Sequence, residues 1–197
     1  MEKHLEQGSS LLDLGTENPF TPQLKAAGYQ VENTKGENLD DNYMGYAQKE
    51  VDCVTAFEIF EHMLAPFNIL NAIKAKKMIA SVPLKLWFSN DYRSKTDSRD
   101  RHFHEFEDWQ FVWLLEKTGW KIMASQKWIN PPKSFGVRSL LRYFTPRHYI
   151  VYAEKSTQRV GHPMNRIQIW TLVKHGQTMG FELPPRASCG KGHRKHH

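Results

Sequence analysis

Residues 9–18 read Ser9-Ser10-Leu11-Leu12-Asp13-Leu14-Gly15-Thr16-Glu17-Asn18. A short apolar run ends in an acid, a glycine follows, and Pro19 forbids the strand from continuing. Read as a strand, the run delivers Asp13 and Gly15 to its carboxyl end, the place where an open parallel sheet holds its ligand. Glycine admits backbone angles closed to other residues, so a ligand can approach the main chain closely at Gly15. The same pattern also describes an ordinary buried strand leaving a core. By itself it does not choose between the two.

Working outward, the pattern alternates. Thr21 and Pro22 suit a helix start, residues 23–27 form a short helix, and Gly28 stops it. Residues 29–34 alternate as a second strand would, and the polar stretch 35–50 reads as loop. Residues 51–57, Val51-Asp52-Cys53-Val54-Thr55-Ala56-Phe57, are β-rich and predict a central strand. A helix opens near Pro66 with Phe67, Leu70 and Ile73 as its apolar stripe, and residues 77–82 form another buried strand ended by Pro83. Strand and helix in alternation predict an α/β fold with a mostly parallel sheet covered by helices on both faces.

The second half is less periodic. Residues 84–106 are aromatic and charged without a repeat and read as a long loop. A helix over 107–118 carries acids in its first turn and ends at Gly119. Phe111, Leu114 and Leu115 share one of its faces and Trp109, Val112 and Trp113 the adjacent one, which predicts a mostly buried helix. Residues 120–128 and 148–155 read as two strands, joined through Pro131-Pro132 and 139–143. A domain over 1–155 follows, with 156–197 as a basic, flexible extension.

A chain of 197 residues with 40% hydrophobic and 24% charged residues suits one domain with a respectable core. No apolar run approaches the roughly 18–20 residues a membrane span needs, so no membrane partner is expected. The N-terminus lacks the apolar core of a signal peptide. Two cysteines, Cys53 and Cys189, offer neither a disulfide framework nor metal-ligand spacing, which fits a reducing, cytoplasmic setting. The net charge of +6 belongs to residues 156–197, which hold seven basic residues against the single acid Glu182. Such a tail offers phosphate contacts to a nucleic acid, or is a flexible end.

Four segments in this order resemble the class I S-adenosylmethionine-dependent methyltransferases, specifically the small-molecule group. They are Leu11-Leu12-Asp13-Leu14-Gly15, then residues 52–62 with Phe57-Glu58-Ile59-Phe60-Glu61-His62, then Ile79-Ala80-Ser81-Val82-Pro83, and last His102-Phe103-His104-Glu105-Phe106 running on to Gly119-Trp120. The resemblance implies a Rossmann-like sheet with an antiparallel final strand, S-adenosyl-L-methionine as cofactor and a small-molecule methyl acceptor. It places Asp13, Gly15, Thr16 and Asn18 against the methionine end of the cofactor, and Phe57 and Glu58 between cofactor and acceptor. An acid at the end of the second strand holds the ribose in the family; here Lys35 stands near that position, with Glu32 and Glu37 the nearest acids and Glu37 the one assigned. One loop glycine replaces the usual two or more, and 35 residues between Gly15 and Val51 are too few for the usual third strand and its helix. The nine residues before the first strand are too few for the family's covering helix.

Glu61, His62, His102 and His104 form the catalytic, acceptor-side group on this reading. His102 and His104, two apart, would share a face of an extended segment with Asp100. No metal is assigned, because nothing in the sequence fixes a fourth ligand. Trp87, Phe88, Tyr92 and Arg93 read as a lid or as packing beneath the loop. The thin first loop and the missing acid keep a second reading open, a catalytically inactive methyltransferase-like binding module; a nucleic-acid-binding protein is a third, resting on the tail alone.

Overall fold

The computed structural model describes residues 4–89, 92–97, 99–129 and 136–156. The chain divides into two units, Met1–Val160 and Gly161–His197, and every described residue belongs to the first. The readings of the basic tail, of Cys189 and of Pro131-Pro132 lie outside the described residues.

Six strands form one sheet: β1 (Ser10–Asp13), β2 (Gln30–Asn33), β3 (Cys53–Phe57), β4 (Lys77–Pro83), β5 (Trp120–Trp128) and β6 (His148–Lys155). Their order is β2-β1-β3-β4-β6-β5, so β2 and β5 are the outer strands. β1 pairs in parallel with both β2 and β3, β3 in parallel with β4, and β6 antiparallel to both β4 and β5. The final strand alone runs against the others, as expected. Helices α1 (Phe20–Ala26), α2 (Leu39–Ala47), α3 (Pro66–Ala72), α4 (Asp108–Lys117) and α5 (Val137–Phe144) fill the connections.

Alternation along the strands splits the core in two. Leu12, Val54, Met78, Ala80, Val151 and Ala153 face one side, where Leu39 of α2, Ile69 and Leu70 of α3 and Phe111 and Leu115 of α4 cover them. Leu11, Cys53, Ile79 and Tyr152 face the other, under Leu24 of α1 together with Leu5 and Tyr29. Helices thus cover both faces, three on one and one on the other. No helix among the described residues is long and apolar enough to cross a membrane.

Five local expectations are corrected. Residues 35–50 are not all loop: α2 forms there, with Asn38 as N-cap accepting from the Asp40 N–H at 3.1 Å and acids Asp40 and Asp41 in the first turn. α1 begins at Phe20, and Thr21 is buried inside it; Asn18 provides the capping contact by accepting from the Phe20 N–H at 2.9 Å. In α3 the buried residues are Pro66, Ile69 and Leu70 while Phe67 is exposed, and in α4 Trp109 and Trp113 are each 56% exposed, so that helix buries one face only. The 129–147 connection contains a helix, α5, where only a link was expected.

Candidate functional site

Parallel pairing brings the carboxyl ends of β1, β2, β3 and β4 to one edge of the sheet. The chain leaves β1 toward β2 on one side, while β3 and β4 lie on the other, so the switch in direction falls between β1 and β3. Asp13 stands at that switch, 3% exposed. Its Oδ1 accepts from the Thr55 hydroxyl of β3 at 2.6 Å; its Oδ2 accepts from the side-chain amides of Asn18 and of Asn33, at the end of β2, both at 3.0 Å. Backbone bonds reinforce the junction: Leu14 N–H donates to Thr55 C=O at 2.8 Å and Thr34 N–H to Asp13 C=O at 3.1 Å. Burial pushes the Asp13 carboxyl above its usual range, and hydrogen bonds from Thr55, Asn18 and Asn33 offset part of that rise. Asp13 therefore acts by positioning: it ties three strand ends and the first loop together.

Gly15 does not use a left-handed angle, which corrects the sequence reading; its value is the missing side chain, because a Cβ there would meet Ile59 Cδ1 at 3.3 Å. The second glycine of the site comes from the loop after β2. Gly36 has φ +87°, and a Cβ there would stand 3.0 Å from Thr16 Cγ2. At both positions the main chain packs so closely against a neighbouring side chain, Ile59 or Thr16, that a Cβ finds little room. We expect Gly36→Ala to cost about 1–2 kcal/mol from the left-handed angle alone, roughly 2–8 °C in Tm, read by thermal denaturation.

The acid assigned to the ribose sits in the same loop. Glu37 accepts from the Lys35 N–H at 2.8 Å and from the Tyr46 hydroxyl at 2.7 Å, and the Tyr46 bond foremost holds its carboxyl below the usual range. Glu32 is engaged elsewhere, paired with Lys49. Phe57 stacks against Phe20 with ring centroids 5.6 Å apart. Glu58 has φ +54°, a left-handed angle for a residue with a long side chain. Three contacts hold it there: its N–H donates to Ser81 C=O at 3.1 Å, Ser81 Oγ donates to its Oε1 at 2.8 Å, and His148 Nδ1 lies 3.3 Å from Oε2. Strain kept in place by surrounding contacts clusters at functional sites.

Beyond Pro83 a cavity of about 500 Å³ opens, lined in part by Phe88, Tyr92, Arg93, His102, Arg142 and Arg147. Of the four residues read as a lid or as packing beneath the loop, Phe88, Tyr92 and Arg93 line this cavity, and Trp87, 75% exposed, lines another groove with Glu107 and Lys127. His102 is fixed by Glu105 Oε1 at 2.9 Å from its Nδ1. His62 stacks edge-on against His102 at 4.9 Å between centroids, and its Nδ1 faces the Arg101 carbonyl at 3.2 Å. Glu61 is fully buried alongside, and burial foremost pushes its carboxyl up to about 9. His104 departs from this group. Phe103 and His104 N–H groups both donate to the Glu61 carbonyl, which bends the segment; His104 then turns to the Leu64 carbonyl and lines a separate groove with Phe103, Trp109 and Trp113. The expected shared face of His102 and His104 is thus absent, and Asp100 is taken by the Tyr92 hydroxyl at 2.7 Å.

Asn33 and Gly36 are the site residues that sequence reasoning passed over. An asparagine ending an alternating strand was the available signal, since asparagine is depleted in strands.

No family model matches the sequence, and no curated protein does. Solved structures do. An S-adenosylmethionine-dependent methyltransferase of Methanosarcina mazei superposes with TM-score 0.55 at 10% identity, over 80% of this chain and 97% of that one. One from Archaeoglobus fulgidus gives 0.54 at 14% identity over 78% and 89%, and one from Mesorhizobium loti 0.53 at 12% over 78% and 95%. The chain has the fold of the class I S-adenosylmethionine-dependent methyltransferases. Its version of that fold is short by a strand: between β2 and β3 there is only α2, all of it described, so the sheet ends at β2 as the spacing predicted.

Proposed function

We propose that this chain binds S-adenosyl-L-methionine across the ends of β1, β2 and β3 and transfers its methyl group to a small molecule. The observation that carries the reading is the junction at Asp13, which ties the ends of β1, β2 and β3 and the loops that leave them at the switch point of a fold of this kind. Thr16 and Asn18 stand on its first loop and Glu37 on its second, where the carboxylate has lone pairs left for two ribose hydroxyls. Phe57 and Glu58, at the carboxyl end of β3, would stand between cofactor and acceptor. When bound, the cofactor supplies an already activated sulfonium methyl. The protein's task is then to hold an acceptor atom in line, about 3–3.5 Å away, with water excluded.

The cavity is the acceptor site in this reading. Arg93, Arg142 and Arg147 around it, against Glu105, favour an anionic small molecule. Glu61, His62 and His102 form its acceptor-side group through His102; His104, in its own groove, is left to a peripheral role. With no counter-charge beside it, the buried Glu61 holds its proton at neutral pH and is not the base of the transfer.

A second reading, a cofactor-binding module without transfer, is favoured by one observation. The end of β2 carries Asn33 in place of an acid, and its amide is spent on Asp13 and on the Gly15 carbonyl at 3.2 Å. Calorimetric titration of S-adenosylhomocysteine into the full chain tests both. Micromolar binding is expected, and its absence would overturn the cofactor site. Binding without transfer of labelled methyl to a panel of small anions would leave the second reading standing.

A further inference from the structure

Three side chains around the buried end of the 84–106 loop, the acceptor-side group of the proposed function, also make a donor set for an ion. Glu61, His62 and His102 each offer one ligand atom, and these atoms all lie within 4.8 Å of one another. One pair, Glu61 Oε1 and His62 Nε2, is 3.8 Å apart, too long for a hydrogen bond. Glu61 is 1% exposed, and neither of its carboxylate oxygens has a hydrogen-bond partner. A buried carboxyl with no partner at all is costly, and in native structures such a group calls for an explanation such as an absent ion.

The imidazoles are oriented from behind. The Arg101 carbonyl can only accept, so His62 carries its proton on Nδ1 and keeps the Nε2 lone pair toward Glu61. Glu105 takes the Nδ1 proton of His102 in the same way, leaving that Nε2 lone pair for a ligand, and Glu105 is itself fixed by the Tyr92 N–H at 2.9 Å. Imidazole backed by a carbonyl or carboxylate is how metal-ligating histidines are held.

We propose that Glu61, His62 and His102 bind one divalent transition-metal ion of the zinc type. Two imidazoles with one carboxylate suit such an ion better than magnesium or calcium, which prefer oxygen donors alone. Bonds of about 2.0–2.2 Å place the donors on a tetrahedral ion roughly 3.5 Å apart, so the three side chains close in slightly by rotation. Three protein ligands leave a fourth position open, and His102 puts it beside the cavity lined by Arg93 and Tyr92. A site of that form holds a water or an oxygen or nitrogen donor of a small molecule.

The test uses the full chain, stripped with a chelator and titrated with Zn²⁺ alone, beside full-length Glu61→Gln, His102→Ala and Glu105→Gln. The five histidines of residues 156–197 bind zinc equally in all four, so the readout is the difference in equivalents. The unsubstituted chain is expected to take up one more tight equivalent than Glu61→Gln or His102→Ala. Glu105→Gln keeps the site but weakens it by about 10–100-fold. Co²⁺ in place of Zn²⁺ should give four-coordinate absorption bands that His102→Ala lacks, and Zn²⁺ should raise the Tm of the unsubstituted chain, a readout that requires no variant to fold. Equal uptake in all four proteins, with no change in Tm, would overturn the site. None of these readouts involves methyl transfer, so their failure leaves the cofactor reading untouched.

Discussion

Asp13→Leu is expected to lose about 2–4 kcal/mol of stability, while Asp13→Asn loses about 1. The leucine removes the acceptor for three donors at once. Thr55 is fully buried, so its hydroxyl has no water to turn to and bears the desolvation cost alone. Asn18 and Asn33 are half-buried and recover part of their loss by reaching solvent. Asparagine at position 13 directs its oxygen at the two amides and its NH₂ at Thr55 Oγ1, leaving only the threonine proton without an acceptor. For a domain of this size the two variants should be separated by roughly 2–12 °C in Tm. Loss of S-adenosylhomocysteine binding is expected with leucine and retention with asparagine, because the strand ends stay tied in the second case. Equal melting of the two would show that the network contributes nothing.

Trp120→Ala is expected to have the largest effect on stability, about 3–5 kcal/mol. Trp120 opens β5, is 1% exposed, and its Nε1 donates to the Leu70 carbonyl in the last turn of α3 at 3.0 Å. Lys155, at the end of β6, donates to the same carbonyl at 2.8 Å and lies 4.5 Å from the centre of the indole. Truncation leaves a void, strips a half-buried ammonium of its ring and loosens α3 at once. Trp120→Phe should recover more than half of the loss. Denaturant titration measures both, and a loss under 1 kcal/mol for the alanine would refute the account.

The strands were legible because their signal is local. β3 and β4 are mostly apolar, broken only by Thr55, Lys77 and Ser81, as strands buried on both faces tend to be. α2 was not, because Tyr43, Tyr46 and Ala47 are spread among Asp40, Asp41, Asn42 and Gly45, and Asn42 departs from helical geometry inside it. Its Asn38 cap was the signal available. The exposed tryptophans of α4 were misread for a related reason: indole is apolar, but periodicity does not say which of two apolar faces meets the sheet. In the candidate site, Asp13 and Glu58 could be placed at strand ends from sequence, and Glu37 entered only as an acid near the end of β2. What could not be read was long-range. Nothing local says that Asn33 reaches back 20 residues to Asp13, or that two N–H bonds to Glu61 turn His104 away from His102.

The outer position of β5 has a consequence for how this protein behaves in a crowd. Nine residues long and mostly exposed, it pairs with β6 on one side and with no other strand among the described residues. Such an edge presents a row of backbone groups on which a second molecule can add its own strand. Met123 even offers an apolar foothold. Lys121 and Lys127, both exposed on that strand, are what an incoming chain would have to desolvate. Lysine on an edge strand is a guard against aggregation, and here it stands at both ends of the stretch that needs guarding.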